Sequence, residues 1–193
     1  NEAVTIPSNK SNIRLVGASQ SGVILRVSSA SQIALLINGS DITISYMTIA
    51  NTAGVSAGPA LAAKVYGKRV EFYRCYINGY QDTFGIWDGA IVYCKSSEIR
   101  GSVDFIYSGG TAFFESCNIR QMRSTGGVNA APSTPSSARG LIFWGCTICR
   151  ASGVANNSCM RSLIEKEIGT VISVPENPQI TGALGCALHH FKK

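Results

Sequence analysis

Two aspartates and a glutamine are the residues of this chain whose types and spacing could do chemistry. Asp82 stands in the stretch NGYQDTFGIW beside Gln81, and Asp104 stands in RGSVDFIYSGG between Val103 and Phe105. Each interrupts apolar runs that read as buried strands. A carboxylate among apolar groups costs several kcal/mol unless it is paired or hydrogen-bonded. If the 22-residue spacing from Asp82 to Asp104 brings them side by side, their charges repel, and one holds its proton more tightly than a free aspartate does. Such a pair can divide the work of a nucleophile or base and a general acid, and the amide of Gln81 can donate to an oxyanion. A lone aspartate in such a place is more simply a turn cap tied to backbone N–H groups. Two of them beside a glutamine favour function.

The elements that would position them come from an internal repeat. The segments ITISYMTIA, VEFYRCYIN, YCKSSEIRG, FFESCNIRQ and IFWGCTICR each place an isoleucine at the end of a β-rich run. These are Ile49, Ile77, Ile99, Ile119 and Ile148, with separations of 28, 22, 20 and 29 residues. The earlier stretches IRLVGAS and GVILRVS keep a similar strand–turn rhythm. Short strands at this period, with Gly, Asn or Ser at the turns, predict an all-β chain wound as a right-handed parallel β-helix, a single domain over residues 1–193. A β-sandwich also has many short strands, but rarely such an aligned repeat. SLIEKEIG, residues 162–169, fits two turns of helix or a loop entering a strand. In a β-helix, residues one coil apart sit about 4.8 Å from each other. Asp82 and Asp104 each lie five residues past their isoleucine, Ile77 and Ile99, so the repeat itself stacks the two carboxylates.

Composition narrows the function class. Lys and Arg outnumber Asp and Glu by 17 to 11, a net charge of +6, which favours a polyanionic partner. The basic residues are scattered and no RRM, KH or helix-turn-helix signature occurs, which argues against nucleic acid. No stretch is long and apolar enough to span a membrane, and no signal-peptide pattern opens the chain. The start, NEAVTIPSNK, reads as the interior of something longer. The only histidines, His189 and His190, stand at the C-terminal end, which disfavours a Ser-His-Asp or Cys-His hydrolase. No P-loop, GxGxxG or metal cluster is seen. Of seven cysteines, Cys75, Cys117 and Cys146 fall at matching repeat positions and read as small buried free thiols rather than disulfides. Cys146 and Cys149 are read on one strand, pointing to opposite faces, against zinc or thioredoxin-like chemistry. N-x-S/T sequons at Asn9, Asn38 and Asn156 are compatible with a secreted protein.

YQDTF, followed one coil later by GSVDFIY, resembles the signature pair of the plant-type pectin methylesterases (pectinesterases), and so do VEFYRCYINGYQDT and SYMTIANTAG. The resemblance is strongest over residues 4–150, and residues 151–193 diverge. It implies a secreted cell-wall protein that hydrolyses galacturonate methyl esters of pectin to carboxylate and methanol, with no metal or cofactor. It further implies a monomer, with a proteinaceous pectinesterase inhibitor as a second partner. Asp104 would be the nucleophile, Asp82 the general acid and then the base, and Gln81 an oxyanion donor. Arg161, Trp87 and Phe105 would contact substrate.

The departures are specific. Where the family has a second oxyanion glutamine one coil earlier, this chain has Pro59, which offers no N–H and no side-chain donor. The family's Arg–Pro–Trp segment aligns loosely with Arg161 and Leu163. An aromatic expected soon after QDT is replaced by Gly85, with Trp87 close enough to serve instead. The family's N-terminal cap region is missing, so the first coil is expected to be open, and beyond Pro178 the chain falls short of the family's usual end. Two readings stay open at this point: a working esterase, and a catalytically impaired relative that binds pectin or polygalacturonate. An inverting glycosidase is disfavoured, since its carboxylates stand about 6.5–9.5 Å apart, wider than one-coil stacking gives.

Overall fold

The structure, a computed structural model, describes residues 2–123 and 138–150. Each coil takes three short strands. The first is β1 (Val4–Ile6), β2 (Ser11–Val16) and β3 (Ile24–Val27), and the second is β4 (Leu35–Ile37), β5 (Ser40–Ser45) and β6 (Thr48–Asn51). Next come β7 (Ala63–Val65), β8 (Lys68–Tyr73) and β9 (Tyr76–Asn78), then β10 (Phe84–Ile86), β11 (Ile91–Lys95) and β12 (Glu98–Gly101). β13 (Ile106–Ser108), β14 (Thr111–Glu115) and β15 (Asn118–Gln121) follow, with β16 (Leu141–Trp144) and β17 (Thr147–Arg150) beyond. Corresponding strands stack into three parallel sheets: β1-β4-β7-β10-β13, β2-β5-β8-β11-β14-β16 and β3-β6-β9-β12-β15-β17. This is the parallel β-helix that the repeat predicts. Among the described residues the sole helical element is a single 3-10 turn at Val55–Ala57.

The five isoleucines of the repeat form one column. Leu25 pairs with Ile49, Ile49 with Ile77, Ile77 with Ile99, Ile99 with Ile119 and Ile119 with Ile148. Alternation turns Ile49, Ile77, Ile99 and Ile119 inward, all 0% exposed, and Phe72, Phe84, Phe105 and Phe114 complete a core of fully buried side chains, while Ile148 at the end of the column is 48% exposed. The two ends are the exceptions: Val4, Ile13, Leu15 and Val23 in the first coil, and Leu141, Phe143 and Cys146 at the last described strands, are only partly buried.

From the second coil on, one residue per coil makes the corner between the second and third sheets. Tyr46, Arg74, Ser96, Ser116 and Gly145 all lie in the left-handed region, with φ of 54, 50, 49, 52 and 60°. A single residue there turns the chain sharply, at a cost for any side chain. Hydrogen bonds to the next coil offset that cost: the N–H groups of Tyr46, Arg74, Ser96 and Ser116 donate to the carbonyls of Tyr73, Lys95, Glu115 and Trp144 at 2.9–3.1 Å. The residue after each corner points inward, which explains the cysteines. Cys75, Cys117 and Cys146 are free, and their thiols donate to the carbonyls of Ile44, Cys94 and Phe114 at 3.5, 3.4 and 3.3 Å. Burial pushes Cys75 and Cys117 up to about 11, so these thiols are inert packing groups. Cys146 belongs to the corner before β17 rather than to one strand with Cys149, because Gly145 makes the turn there.

Coil length varies where the third sheet leads back to the first. That turn runs over 52–62 after β6, but only over 79–83 after β9 and 102–105 after β12. The long turn needs an anchor, and Asn51 supplies it. Its side chain is 1% exposed, and its Nδ2 donates to the carbonyls of Ser29, Gln32 and Leu61 at 2.9, 3.1 and 3.1 Å. Its Oδ1 accepts from the Ala53 N–H at 3.1 Å. Asn51→Ala leaves these buried carbonyls unpaired and is expected to lower stability by about 1–3 kcal/mol. Urea unfolding of the variant checks this: the midpoint should fall with the slope unchanged.

Candidate active site

The two short turns lie one above the other. Gln81 bridges to Pro59 on one side and to Val103 on the other. The Asp82 N–H donates to the Val103 carbonyl at 3.1 Å, Ser102 N–H to Tyr80 at 2.7 Å, and Phe84 N–H to Phe105 at 2.9 Å. This register makes Asp82 and Asp104 neighbours across one inter-coil step, a spacing of about 4.8 Å between backbones. The stacking predicted from the 22-residue step is therefore present. It also puts Pro59 next to Gln81, where a second glutamine was looked for.

Both aspartates take left-handed backbone, with φ of 55° at Asp82 and 48° at Asp104. Aspartate tolerates this region better than most residues, and strain of this kind collects at functional sites. The left-handed residue resets the alternation of side chains, so the two residues after each aspartate both point inward: Thr83 and Phe84, then Phe105 and Ile106, all 0% exposed. Phe105 is thus a core residue and not a substrate contact. It supports the Asp104 turn from beneath. Glycine makes room for it: a Cβ on Gly101 would stand 2.0 Å from that of Phe105, and one on Gly79 would stand 2.6 Å from Thr83 Oγ1. The next coil has Gln121 in register with Gly101.

Asp82 is half-buried, and its carboxyl is raised above the ordinary range, by burial first and by the charge of Asp104 second. Burial and a like charge both disfavour the ionised form. Asp82 is the member of the pair set up to carry a proton. Gln81, also half-buried, flanks it.

The outer face of the first sheet continues the site. Lys64, Gly85 and Tyr107 follow one another in register on β7, β10 and β13. Trp87 folds back over this row: its Cζ3 lies 3.3 Å from where a Gly85 Cβ would be. Its ring stands 5.8 Å from that of Tyr66 and 5.5 Å from that of Tyr107. Trp87 therefore covers the position where the sequence lacks an aromatic. Tyr107, Tyr66 and Lys64 were not singled out from the sequence. Strict alternation in AKV and IYS would have turned Lys64 and Tyr107 outward on this face. Trp144, 69% exposed, lies on the second sheet and does not join the site. Arg161, Leu163, the helix-or-loop segment 162–169, both histidines and the divergent stretch 151–193 fall outside the described residues. Among the described residues no group of His, Cys, Asp and Glu is arranged to hold a metal ion, and no helix is long and apolar enough to cross a membrane.

Fold and site together define a parallel β-helix protein that carries a stacked aspartate pair in the turns that lead into its first sheet. Residues 1–164 match the family model for pectinesterases, and the chain belongs to that family. It is 33% identical over 153 residues to "Putative pectinesterase 11" of Arabidopsis thaliana, covering 76% of this chain and 43% of the relative. It is 35% identical over 115 residues to "Pectinesterase 31" of the same plant, covering 59% of this chain and 36% of the relative. The chain thus spans less than half the length of either. Among solved structures, the pectin methylesterase PemA from Erwinia chrysanthemi superposes with a TM-score of 0.71 at 24% identity, over 80% of this chain and 56% of that one. That likeness bears on the fold.

The raised Asp82 carboxyl makes a stability prediction. A buried acid whose proton affinity is raised on folding costs stability once it ionises, that is, as pH climbs from the ordinary carboxylate range through its folded value. Asp82→Asn removes this cost. The melting temperature of the variant should exceed that of the wild type at neutral pH, and the gap should close as pH falls to where Asp82 is protonated. Thermal melts between pH 3 and pH 8, as a range of about the carboxylate titration and above, measure it. A gap independent of pH would show that Asp82 is not held up by its neighbours.

Proposed function

We propose that this chain is a carboxylic ester hydrolase that removes methyl groups from the galacturonate units of pectin, outside the cell and in the plant wall. The observation that carries the reading is the stacking of a carboxyl group with raised proton affinity, Asp82, on a second carboxylate, Asp104, with Gln81 alongside. Membership of the pectinesterase family supports it.

In this reading an Asp104 carboxylate oxygen attacks the ester carbonyl carbon, and the tetrahedral oxyanion accepts a hydrogen bond from the Gln81 amide. Collapse breaks the bond from carbon to the methoxy oxygen, and Asp82 gives that oxygen its proton as methanol departs. The intermediate is an anhydride between Asp104 and the galacturonate carboxyl. Water then adds to the galacturonyl carbon while Asp82, now ionised, takes one of its protons. Asp104 leaves as carboxylate, and the new galacturonic acid loses its remaining proton to solvent. Asp82 ends protonated, ready for the next cycle. Histidine is not needed, because Asp82, a carboxyl group of raised proton affinity, supplies the acid and the carboxylate stacked on it supplies the nucleophile. Pro59 beside Gln81 offers no donor, so one side-chain amide carries the oxyanion contact that this register allows.

Methanol release from highly methylated pectin tests the proposal. Wild type should release methanol and Asp104→Asn should release none above the blank. Gln81→Ala should lower kcat by about 10²–10³, the usual cost of one lost oxyanion donor. Pro59→Gln puts an amide back next to Gln81 and should raise kcat. Well-folded wild-type protein that binds pectin but releases no methanol would overturn the esterase reading.

A further inference from the structure

Gln121 ends β15 with its side chain in the core, 1% exposed. A long polar side chain is costly there unless it is hydrogen-bonded. Its Nε2 donates to the Ser102 carbonyl at 2.8 Å. Ser102 is also 1% exposed, and it opens the turn that carries Asp104 one coil earlier. The amide of Gln121 therefore reaches across an inter-coil step and holds the backbone two residues before the carboxylate.

The two carboxylate turns are held differently. In the Asp82 turn the Tyr80 carbonyl accepts from the backbone of the next coil, from Ser102 N–H at 2.7 Å and Val103 N–H at 3.4 Å. The matching acceptor in the Asp104 turn is the Ser102 carbonyl. There the next backbone donor, the Met122 N–H, goes to Gly101 at 2.6 Å, and the Gln121 side chain supplies the donor to Ser102. Among the described residues this is the one hydrogen bond that the following coil makes to the turn over 102–105. The other bonds of that turn, with Tyr80, Asp82 and Phe84, all run back to the preceding coil. Asp104 itself has a φ of 48°, and left-handed backbone at a residue with a side chain persists only where its surroundings over-determine it. Phe105 supports the turn from beneath. The plane of the Ser102 carbonyl sets the direction in which the chain enters the left-handed residue, and Gln121 fixes that plane from the far side.

We infer that Gln121 is a positioning residue for Asp104: its buried amide clamps the turn from the coil beyond and keeps the Asp104 carboxylate stacked on Asp82. It acts through the backbone and touches none of the reacting atoms. The inference rests on the proposed esterase reading for the part Asp104 plays as nucleophile, and it adds a residue that lies outside the two carboxylate turns in sequence and in space.

Gln121→Met tests it, since this change keeps an unbranched side chain of similar length and removes the donor. Gln121→Asn keeps an amide but is one methylene short of the Ser102 carbonyl, and it carries the test should Gln121→Met fail to fold. Two measurements are made on folded protein: methanol release from highly methylated pectin, and the titration of Asp82 followed by carboxyl-carbon NMR, with Asp82→Asn to assign the signal. In the variant kcat should fall about 10²-fold, as for a reacting group misplaced by about 1 Å, with KM near its wild-type value. The Asp82 midpoint should move down toward the ordinary aspartate range, part of the way that Asp104→Asn moves it, because the Asp104 charge no longer stands close. A role in stability alone would lower the melting temperature and leave both readouts in place. An Asp82 titration that the variant does not move overturns the inference whatever the rate does, and so does an unchanged kcat where wild type is active. If wild type releases no methanol but Gln121→Met moves the Asp82 titration, the esterase reading falls and the clamp stands. Methanol release with both readouts indifferent to Gln121 gives the reverse.

Discussion

Hydrogen bonding between consecutive coils decides which residues of this chain become neighbours, and the site exists only in that register. Asp82 and Asp104 are far apart in sequence, and no side-chain contact of their own brings them together. Backbone bonds do so, from Asp82 to Val103, Ser102 to Tyr80 and Phe84 to Phe105. The inward isoleucine column holds the same register from the core side, since a slip of one residue would turn every inward side chain out. The energy that forces two like charges together is therefore spread over many apolar contacts and ladder bonds. This is how a protein can keep a pair that disfavours itself.

The local sequence in each turn serves this purpose. A left-handed aspartate lets the turn close in four or five residues, and Gly79 and Gly101 clear the space that Thr83 and Phe105 fill beneath. The turn after β6 has no such device. It runs much longer and needs the buried amide of Asn51 to tie it down. The carboxylate turns are thus the tight ones, backed by fully buried side chains. Under the proposed mechanism, a carboxylate that must meet a carbonyl carbon in a defined direction gains from such rigid support.

Much of this was legible in the sequence because a β-helix is nearly one-dimensional. The spacing of five isoleucines gave the coil length, and the same spacing carried Asp82 onto Asp104, whereas Pro59 was placed beside Gln81 by the resemblance to the pectinesterases and not by the repeat. What was misread was misread for local reasons. Phe105, next to Asp104 in the chain, invites a role at the site, but the left-handed backbone at 104 breaks strand alternation and sends Phe105 into the core. Cys146 was placed on a strand because nothing in GCTIC marks the corner except Gly145, and four of the five corners use residues other than glycine. Lys64 and Tyr107 sit in three-residue strands, too short for their alternation to stand out. Trp87 reaches back over Gly85 by folding across the sheet, a contact between side chains that no spacing rule reports.

The same one-dimensional order explains how the chain departs from its family without losing the pair. Each coil of a β-helix touches only the coils beside it. Proline at 59 removes a donor next to Gln81, yet the bridge to Gln81 stays, the Ala60 N–H still donates to the Gln81 carbonyl at 3.1 Å, and the carboxylates one position on keep their register. Glycine at 85 removes a side chain from the first sheet, and the Trp87 ring lies over the space. In both places the change is confined to one position of one coil. Divergence can therefore alter the residue beside Gln81 and the outer face of the first sheet separately, while the backbone ladder goes on holding Asp82 against Asp104.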